Sequence, residues 1–248
     1  MGRAFEYRKE RKFKRWAAMS KAFTRIGKEI MIAVKAGGPN PETNPRLRIA
    51  IQNAKGVNMP KANIENAIKK ATSKEYEDYD EVLYEGYGPG GVAILIETAT
   101  NNTTRTVANL RSYFNKFDGS LSTSGSVSFM FNHLGVFTIN KSQIKNLEEF
   151  ELEMIDAGAD DIEIDEENCI VTCPFEQFGP INAKLEQLGI EPEESVLNWF
   201  PMNQVAVSGE NAIKLVKLLK KIEEDDDVQK VYANYEMTDE IAQLFDNN

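Results

Sequence analysis

Six basic side chains crowd eight consecutive positions: Arg8, Lys9, Arg11, Lys12, Lys14 and Arg15. Phe13 lies among them and Trp16 follows. Mobile cations at that density neutralise phosphates, and each contact releases a condensed counterion. Aromatic rings in such a run can stack on unpaired bases. Lys21, Arg25 and Lys28 continue the series at spacings of four and three, which puts them on one face of a helix. The chemistry on offer is capture of a polyanion, and the obvious polyanion in a cell is nucleic acid. The plain alternative is a solvated amphipathic helix with Trp16 buried.

Other constellations suggest chemistry and fail on context. Gly86-Tyr87-Gly88-Pro89-Gly90-Gly91 matches G-x-G-x-x-G literally. A dinucleotide loop must join a strand to a helix, with an acid about twenty residues on. Here a β-branched run follows and Pro89 sits inside the loop, so a hairpin connection needing positive φ is the better reading. No Gly-Lys-Ser/Thr follows, which excludes a Walker loop. Ser122-Thr123-Ser124-Gly125-Ser126 invites a nucleophile, but His133 is the single histidine of the sequence. A triad needs a base and an orienter, so a polar turn is expected. Cys169 and Cys173 share one face of a strand and read as buried thiols, since zinc would need more ligands nearby. The acidic run Asp160 to Glu167 lacks the EF-hand glycine; its alternation predicts a strand with one apolar and one acidic face. These patterns predict no metal site, no cofactor, no small-molecule substrate and no catalysis.

Charge is distributed unevenly. The first 74 residues hold 18 Lys and Arg against 5 Asp and Glu, and the remaining 174 hold 11 against 34. One end of the chain attracts polyanions and the rest repels them. No apolar run approaches the ~20 residues of a membrane span. The opening Met1-Gly2-Arg3-Ala4-Phe5-Glu6 continues into charge, which predicts neither a secretory signal nor myristoylation. Two cysteines without a framework predict a cytoplasmic protein.

The elements that must position these residues follow from periodicity. Residues 5–72 read as helical. A helix from Ser20 to Lys35 carries Phe23, Ile26, Ile30, Ile32 and Val34, and Gly37-Gly38-Pro39-Asn40-Pro41 ends it. A second helix follows Asn44-Pro45 with Leu47, Ile49, Ala50 and Ile51 inward. A third spans Lys61 to Thr72 with Ile64, Ala67 and Ile68 on one face. Strands are expected at 82–84 and 92–97, then a helix over 105–117 capped by Thr103 or Thr104 and closed by Gly119. Another strand is expected at 126–131. Residues 134–200 show a βαββαβ rhythm, the ferredoxin-like signature. Its strands fall at 135–139, 162–164, 170–173 and 196–200, and its helices at 147–157 and 175–188. A helix over 211–223 and a strand over 228–235 complete the half begun at residue 81. The fold class is α+β multidomain: an N-terminal helical bundle, then two ferredoxin-like α/β domains, one inserted in the other. The expected domains are residues 1–76, residues 77–132 with 203–248, and the acidic insert 133–202.

Several blocks resemble the YebC/PmpR family. They are Asn44-Pro45-Arg46-Leu47-Arg48, Asn58-Met59-Pro60-Lys61-Ala62-Asn63-Ile64-Glu65-Asn66-Ala67-Ile68, and Tyr84-Glu85-Gly86-Tyr87-Gly88-Pro89-Gly90-Gly91. Asn102-Thr103-Thr104-Arg105-Thr106 and Thr123-Ser124-Gly125-Ser126-Val127-Ser128-Phe129-Met130-Phe131 belong with them, as does Val228-Gln229-Lys230-Val231-Tyr232. The resemblance covers essentially the whole chain. It implies three domains, the third inserted in the second, in a cytoplasmic protein without known catalysis. It implies transcriptional regulation through DNA, or translation activation and action on stalled ribosomes in other members. The chain has Lys14-Arg15-Trp16-Ala17 where most members carry Gly-His-Ser-Lys-Trp-Ala, and its opening resembles the subgroup associated with translation. The candidate nucleic-acid-binding set is Arg8, Lys9, Arg11, Lys12, Lys14, Arg15, Trp16, Lys21, Arg25, Lys28, Arg46, Arg48, Lys61 and Arg105. The partner is DNA or ribosomal RNA, with the ribosome itself as a further partner; an acidic protein-interaction module is the other class of function.

Overall fold

A computed structural model of the chain describes residues 19–73 and 78–246. The basic lead from Arg8 to Trp16, and the expected helix before residue 19, lie outside the described residues. The described residues fall into two compact units, one from the segments before residue 77 and over 133–198, the other from 77–132 and 199 onward.

The first unit begins with three helices: α1 (Met19–Gly37), α2 (Pro45–Gly56) and α3 (Lys61–Thr72). Asn44 both starts α2 and ties it to α1. Its Oδ1 accepts the Leu47 N–H at 3.1 Å, and its Nδ2 donates to the carbonyls of Ala33 and Gly38 at 2.7 and 2.9 Å. Pro45 fits the first turn, where its missing N–H costs nothing. Asn58 takes φ +58 in the turn that ends α2, and Pro60 precedes α3. Ile26, Ile30, Ala33 and Val34 of α1 are buried, with Leu47, Ala50 and Ala54 of α2 and Ile64, Ala67 and Ala71 of α3. Ile49 and Ile51, expected inward, are only half-buried, because 3.6-residue periodicity gives the contact to Ala50 and Ala54 instead.

The same unit contains most of β4 (Phe131–Asn140), then α5 (Leu147–Asp156), β5 (Asp161–Ile164), β6 (Asn168–Pro174), α6 (Phe178–Gln187) and most of β7 (Glu194–Pro201), the first residues of β4 and the last of β7 belonging to the second unit. The strand order is β5-β6-β4-β7. Cys169 and Cys173 are fully buried beside Phe137, Ile139 and Ile181. Burial pushes both thiols up to about 11, as inert core sulfur requires. The acidic run forms β5 as expected, with Ile162 and Ile164 against the core. The helix expected from residue 175 starts at Phe178, after a single tighter turn over Phe175–Gln177.

The second unit is built on β1 (Asp80–Tyr87), β2 (Ala93–Thr100), α4 (Thr103–Lys116), β3 (Ser120–Ser122), α7 (Gly209–Glu223), β8 (Val228–Ala233) and α8 (Asp239–Asp246). Its order is β3-β1-β2-β8, so both sheets have four strands and both are antiparallel. One face carries Ile94, Ile96 and Val231 against Leu110, Phe114, Leu215, Leu219 and Ile241 of the helices. The other carries Ala93, Leu95 and Tyr232 under Val127 and Phe131.

Residues 126–131 are not a strand: a single tight turn spans Ser128–Met130, and pairing begins only at Phe131. The cause is Glu85, 2% exposed, whose carboxylate accepts the N–H groups of Gly125, Val127 and Ser128 at 2.7, 2.6 and 2.9 Å. Backbone donors consumed by a carboxylate cannot join a ladder. The cap of α4 is Asn102, which accepts the Arg105 N–H at 2.9 Å, in place of Thr103 or Thr104. Asp118, with φ +58, provides the left-handed turn after α4 that was expected of Gly119. Strand β3 and helix α8 were not foreseen; β3 has only three residues, too few for a period to register.

The glycine loop needs positive φ at Gly90 (+75) and Gly91 (+77), as its hairpin role predicts. Gly88 differs, with φ −87. A Cβ there would meet Ile94 Cδ1 at 2.9 Å and Leu215 Cδ1 at 3.2 Å, so its requirement is space. Gly88→Val is therefore expected to cost about 1–3 kcal/mol through overpacking. Urea unfolding measures it, and an unchanged midpoint would contradict the close packing.

Burial by itself would raise the Glu85 pKa, but the three backbone N–H groups and the Ser128 hydroxyl outweigh it and hold the carboxyl below its ordinary range. A depressed folded-state pKa contributes stability above the ordinary carboxylate range and loses it as pH falls through the folded value. Glu97 acts in the opposite sense: burial raises it against Lys230, Trp199 and Tyr232. The expected result is a melting temperature that drops below about pH 4, and drops less steeply in Glu85→Gln. Equal acid sensitivity of the two proteins would remove Glu85 from this account.

Candidate nucleic-acid interface

The described candidates divide between the units. Lys21, Arg25 and Lys28 lie on one face of α1, as their spacing requires. Lys21 and Arg25 are half-buried, and Lys28 is only 7% exposed, so this stripe runs into packed protein. Arg46 is exposed at the start of α2. Lys61 is exposed at the start of α3, 3.6 Å from Glu65. Arg8, Lys9, Arg11, Lys12, Lys14, Arg15 and Trp16 lie outside the described residues.

Arg48 and Arg105 are already committed to carboxylates. The Arg48 Nε lies 2.9 Å from Glu186 Oε1, and its Nη1 donates to the Pro41 carbonyl at 3.2 Å. Arg105, in the second unit, forks onto Asp227, with Nη2 at 2.9 and 2.7 Å from the two oxygens. Thr106 adds its hydroxyl to Asp227 at 2.8 Å. Burial would raise the Asp227 pKa; Arg105, Thr106 and Thr100 reverse that and hold the carboxyl low. The helix N-terminus at Arg105 is thus neutralised by the chain's own anion.

The Arg48 contact belongs to a longer seam within the first unit. Asn53 pairs with the Ser195 backbone in both directions, Nδ2 to the carbonyl at 2.8 Å and the N–H to Oδ1 at 2.8 Å. Gln52 donates to the Pro192 carbonyl at 3.0 Å. Because β7 is an edge strand, the Asn53 amide stands in for a neighbouring strand. Arg48, Gln52, Asn53 and Gly56 share one face of α2, and that face is filled by residues 186–195.

On α1 to α3, the exposed cations outside the predicted set are Lys35, Lys55, Lys69 and Lys70. They lie at or near helix C-termini, where a lysine reads first as a partner of the helix dipole.

Two family models match this sequence: the TACO1/YebC protein N-terminal domain over residues 3–74, and the TACO1/YebC second and third domain over 79–235. The chain belongs to the TACO1/YebC family. A relative from Parabacteroides distasonis, named probable transcriptional regulatory protein, is 54% identical over 239 residues, covering 96% of this chain and 98% of its own. One of the same name from Porphyromonas gingivalis is 56% identical over 234 residues, covering 94% and 97%. The crystal structure of the conserved hypothetical protein Aq1575 from Aquifex aeolicus superposes with a TM-score of 0.75 at 42% identity, covering 91% of this chain and 93% of that one. The Parabacteroides and Porphyromonas relatives are named as probable regulators, and this YebC-family chain has no described helix long and apolar enough to cross a membrane.

Proposed function

We propose that the chain is a non-enzymatic regulator of gene expression that binds nucleic acid through its basic N-terminal helical part, in the cytoplasm. The observation that carries this is the charge division: 18 Lys and Arg against 5 Asp and Glu in the first 74 residues of an otherwise acidic chain. Such an excess serves phosphate binding, and a pure protein-interaction module has no need of it. The domain reading stands with the proposal: helical residues 1–76, a ferredoxin-like domain from 77–132 with 203–248, and an acidic ferredoxin-like insert over 133–202. The strand orders and the interrupted second unit support it. DNA and transcription are the version that the relatives' names favour.

A second reading, RNA on the ribosome, is favoured by Phe13 and Trp16 within the basic lead. Stacking contributes about 1–3 kcal/mol per base and is available only where bases are unpaired. Structured RNA has such bases in loops and bulges, whereas a duplex hides them. Ribosomes or a hairpin RNA are expected to compete better than random duplex DNA at equal phosphate. Trp16→Ala is expected to weaken RNA binding more than duplex binding without lowering the melting temperature. Tighter binding to one promoter duplex than to ribosomes would return the direct role to transcription; no saturable binding to either would end the proposal.

A further inference from the structure

We infer that the outer face of α3, formed by Asn63, Asn66, Lys69 and Lys70, is a contact surface for a nucleic-acid sugar–phosphate backbone. This rests on the nucleic-acid reading above and specifies where in the bundle the ligand lies.

The bundle leaves α3 with one open side. Ile64, Ala67 and Ala71 are buried at 8, 7 and 3% exposure, where α3 packs on α1. At 3.6 residues per turn, positions 66 and 69 lie opposite that face and 63 and 70 flank it on one side, and all four side chains are exposed. The helix has three lysines and one carboxylate, and that carboxylate, Glu65, sits beside Lys61. Ala62 and Ser73, also exposed, are small enough to let a ligand backbone approach.

The neighbouring helix is not equally available. The outward face of α2 is taken up by Arg48 to Glu186, Gln52 to Pro192 and Asn53 to Ser195. Segment 186–195 has four carboxylates, Glu186, Glu191, Glu193 and Glu194, and no cation. Of the two helices that meet at the Asn58 turn, α3 is the one whose face of amides and adjacent lysines is left uncovered by segment 186–195.

Composition supports the same face. Asparagine is a poor helix former, and two of them occupy exposed positions one turn apart in a helix of 12 residues. Their amides both donate and accept, and so suit phosphate oxygens, sugar hydroxyls and base edges alike. Lysines one turn beyond such amides supply the salt-dependent part of the binding.

The plain alternative is that Lys69 and Lys70 only complement the C-terminal dipole of α3. The test uses the full chain, with a hairpin RNA and a duplex DNA of equal phosphate number as probes, from 50 to 200 mM KCl. Lys69→Gln/Lys70→Gln is expected to weaken binding about tenfold at the upper salt limit and to lower the salt slope by roughly 1.4 to 1.8. Asn63→Ala/Asn66→Ala is expected to weaken binding severalfold while the melting temperature holds or rises, because alanine is the better helix former. Arg111→Gln/Lys217→Gln, in the second unit, removes the same charge and is expected to leave affinity unchanged. The probe with the larger loss identifies the source of the backbone, duplex or hairpin. Wild-type affinity and slope in both α3 variants would remove α3 and leave the nucleic-acid reading standing. An equal loss in the control pair would reduce the effect to net charge and overturn the site. Absence of binding by the unaltered protein would overturn both.

Discussion

Gly56→Val is expected to destabilise the first unit by about 3 kcal/mol, the upper end for overpacking. A Cβ on Gly56 would lie 2.0 Å from the Glu193 carbonyl oxygen. That neighbour is backbone, so no rotamer change relieves the clash, and helix and strand must part. Separation strips the Ser195 N–H and carbonyl of their Asn53 partners and breaks the Arg48–Glu186 pair. An unpartnered buried group costs about 1–3 kcal/mol, which sustains the estimate. Urea unfolding gives the magnitude, and hydrogen exchange at Ser195 gives the place. Gly27→Ala is the control, since nothing lies within 4 Å of its Cβ. It is expected to be neutral or to stabilise α1 by up to about 1 kcal/mol. Unchanged Ser195 exchange in Gly56→Val would show that the seam does not hold the helix.

Arg105→Met is the second large expected effect, at about 3 kcal/mol. The Asp227 side chain is only 7% exposed, whereas that of Arg105 is 47% exposed. Removing the arginine strands a carboxylate that water cannot reach, the lower end of the ~3–5 kcal/mol cost of breaking a buried pair. Asp227→Ala is expected to cost less, because the half-exposed guanidinium can rehydrate. The double variant is expected to recover part of the loss, since removing both partners leaves no stranded charge. The pH sign is definite. Asp227 is held low in the native protein, so its contribution is present at neutral pH and disappears as acid protonates it. The gap between native protein and Arg105→Met is therefore expected to narrow toward acid pH. A gap that stays constant, or a double variant as unstable as the sum of its singles, would show that the pair acts through something other than charge.

Local rules were enough for much of this protein. The bounds of α2 and α3 follow from Asn44-Pro45, Pro60 and the apolar spacing, because caps and breakers act within one turn. The βαββαβ rhythm expected over residues 134–200 follows from period alone, and the strands and helices form in that order. The family was legible in ordered blocks of residues, and the charge division was plain in the counts. The rest depended on partners distant in sequence. The run Ser126–Phe131 has strand composition, yet Glu85, about forty positions earlier, takes its backbone donors. Arg105 looks like a free cation at a helix N-terminus until Asp227 is brought to it across more than a hundred residues. Arg48 and Lys61 both look like open cations in sequence, but Glu186 folds against Arg48 from far along the chain, whereas Lys61 has beside it only Glu65 of its own helix. Gly88 and Gly56 look like turn glycines, but their need is for space against Leu215 and Glu193. The sequence by itself determined the elements, the family and the polarity of charge, since these depend on neighbours within a few residues. Tertiary structure alone decided which cations are already paired and which helix face stays open, because a carboxylate's position in space is set by the packing of the whole unit.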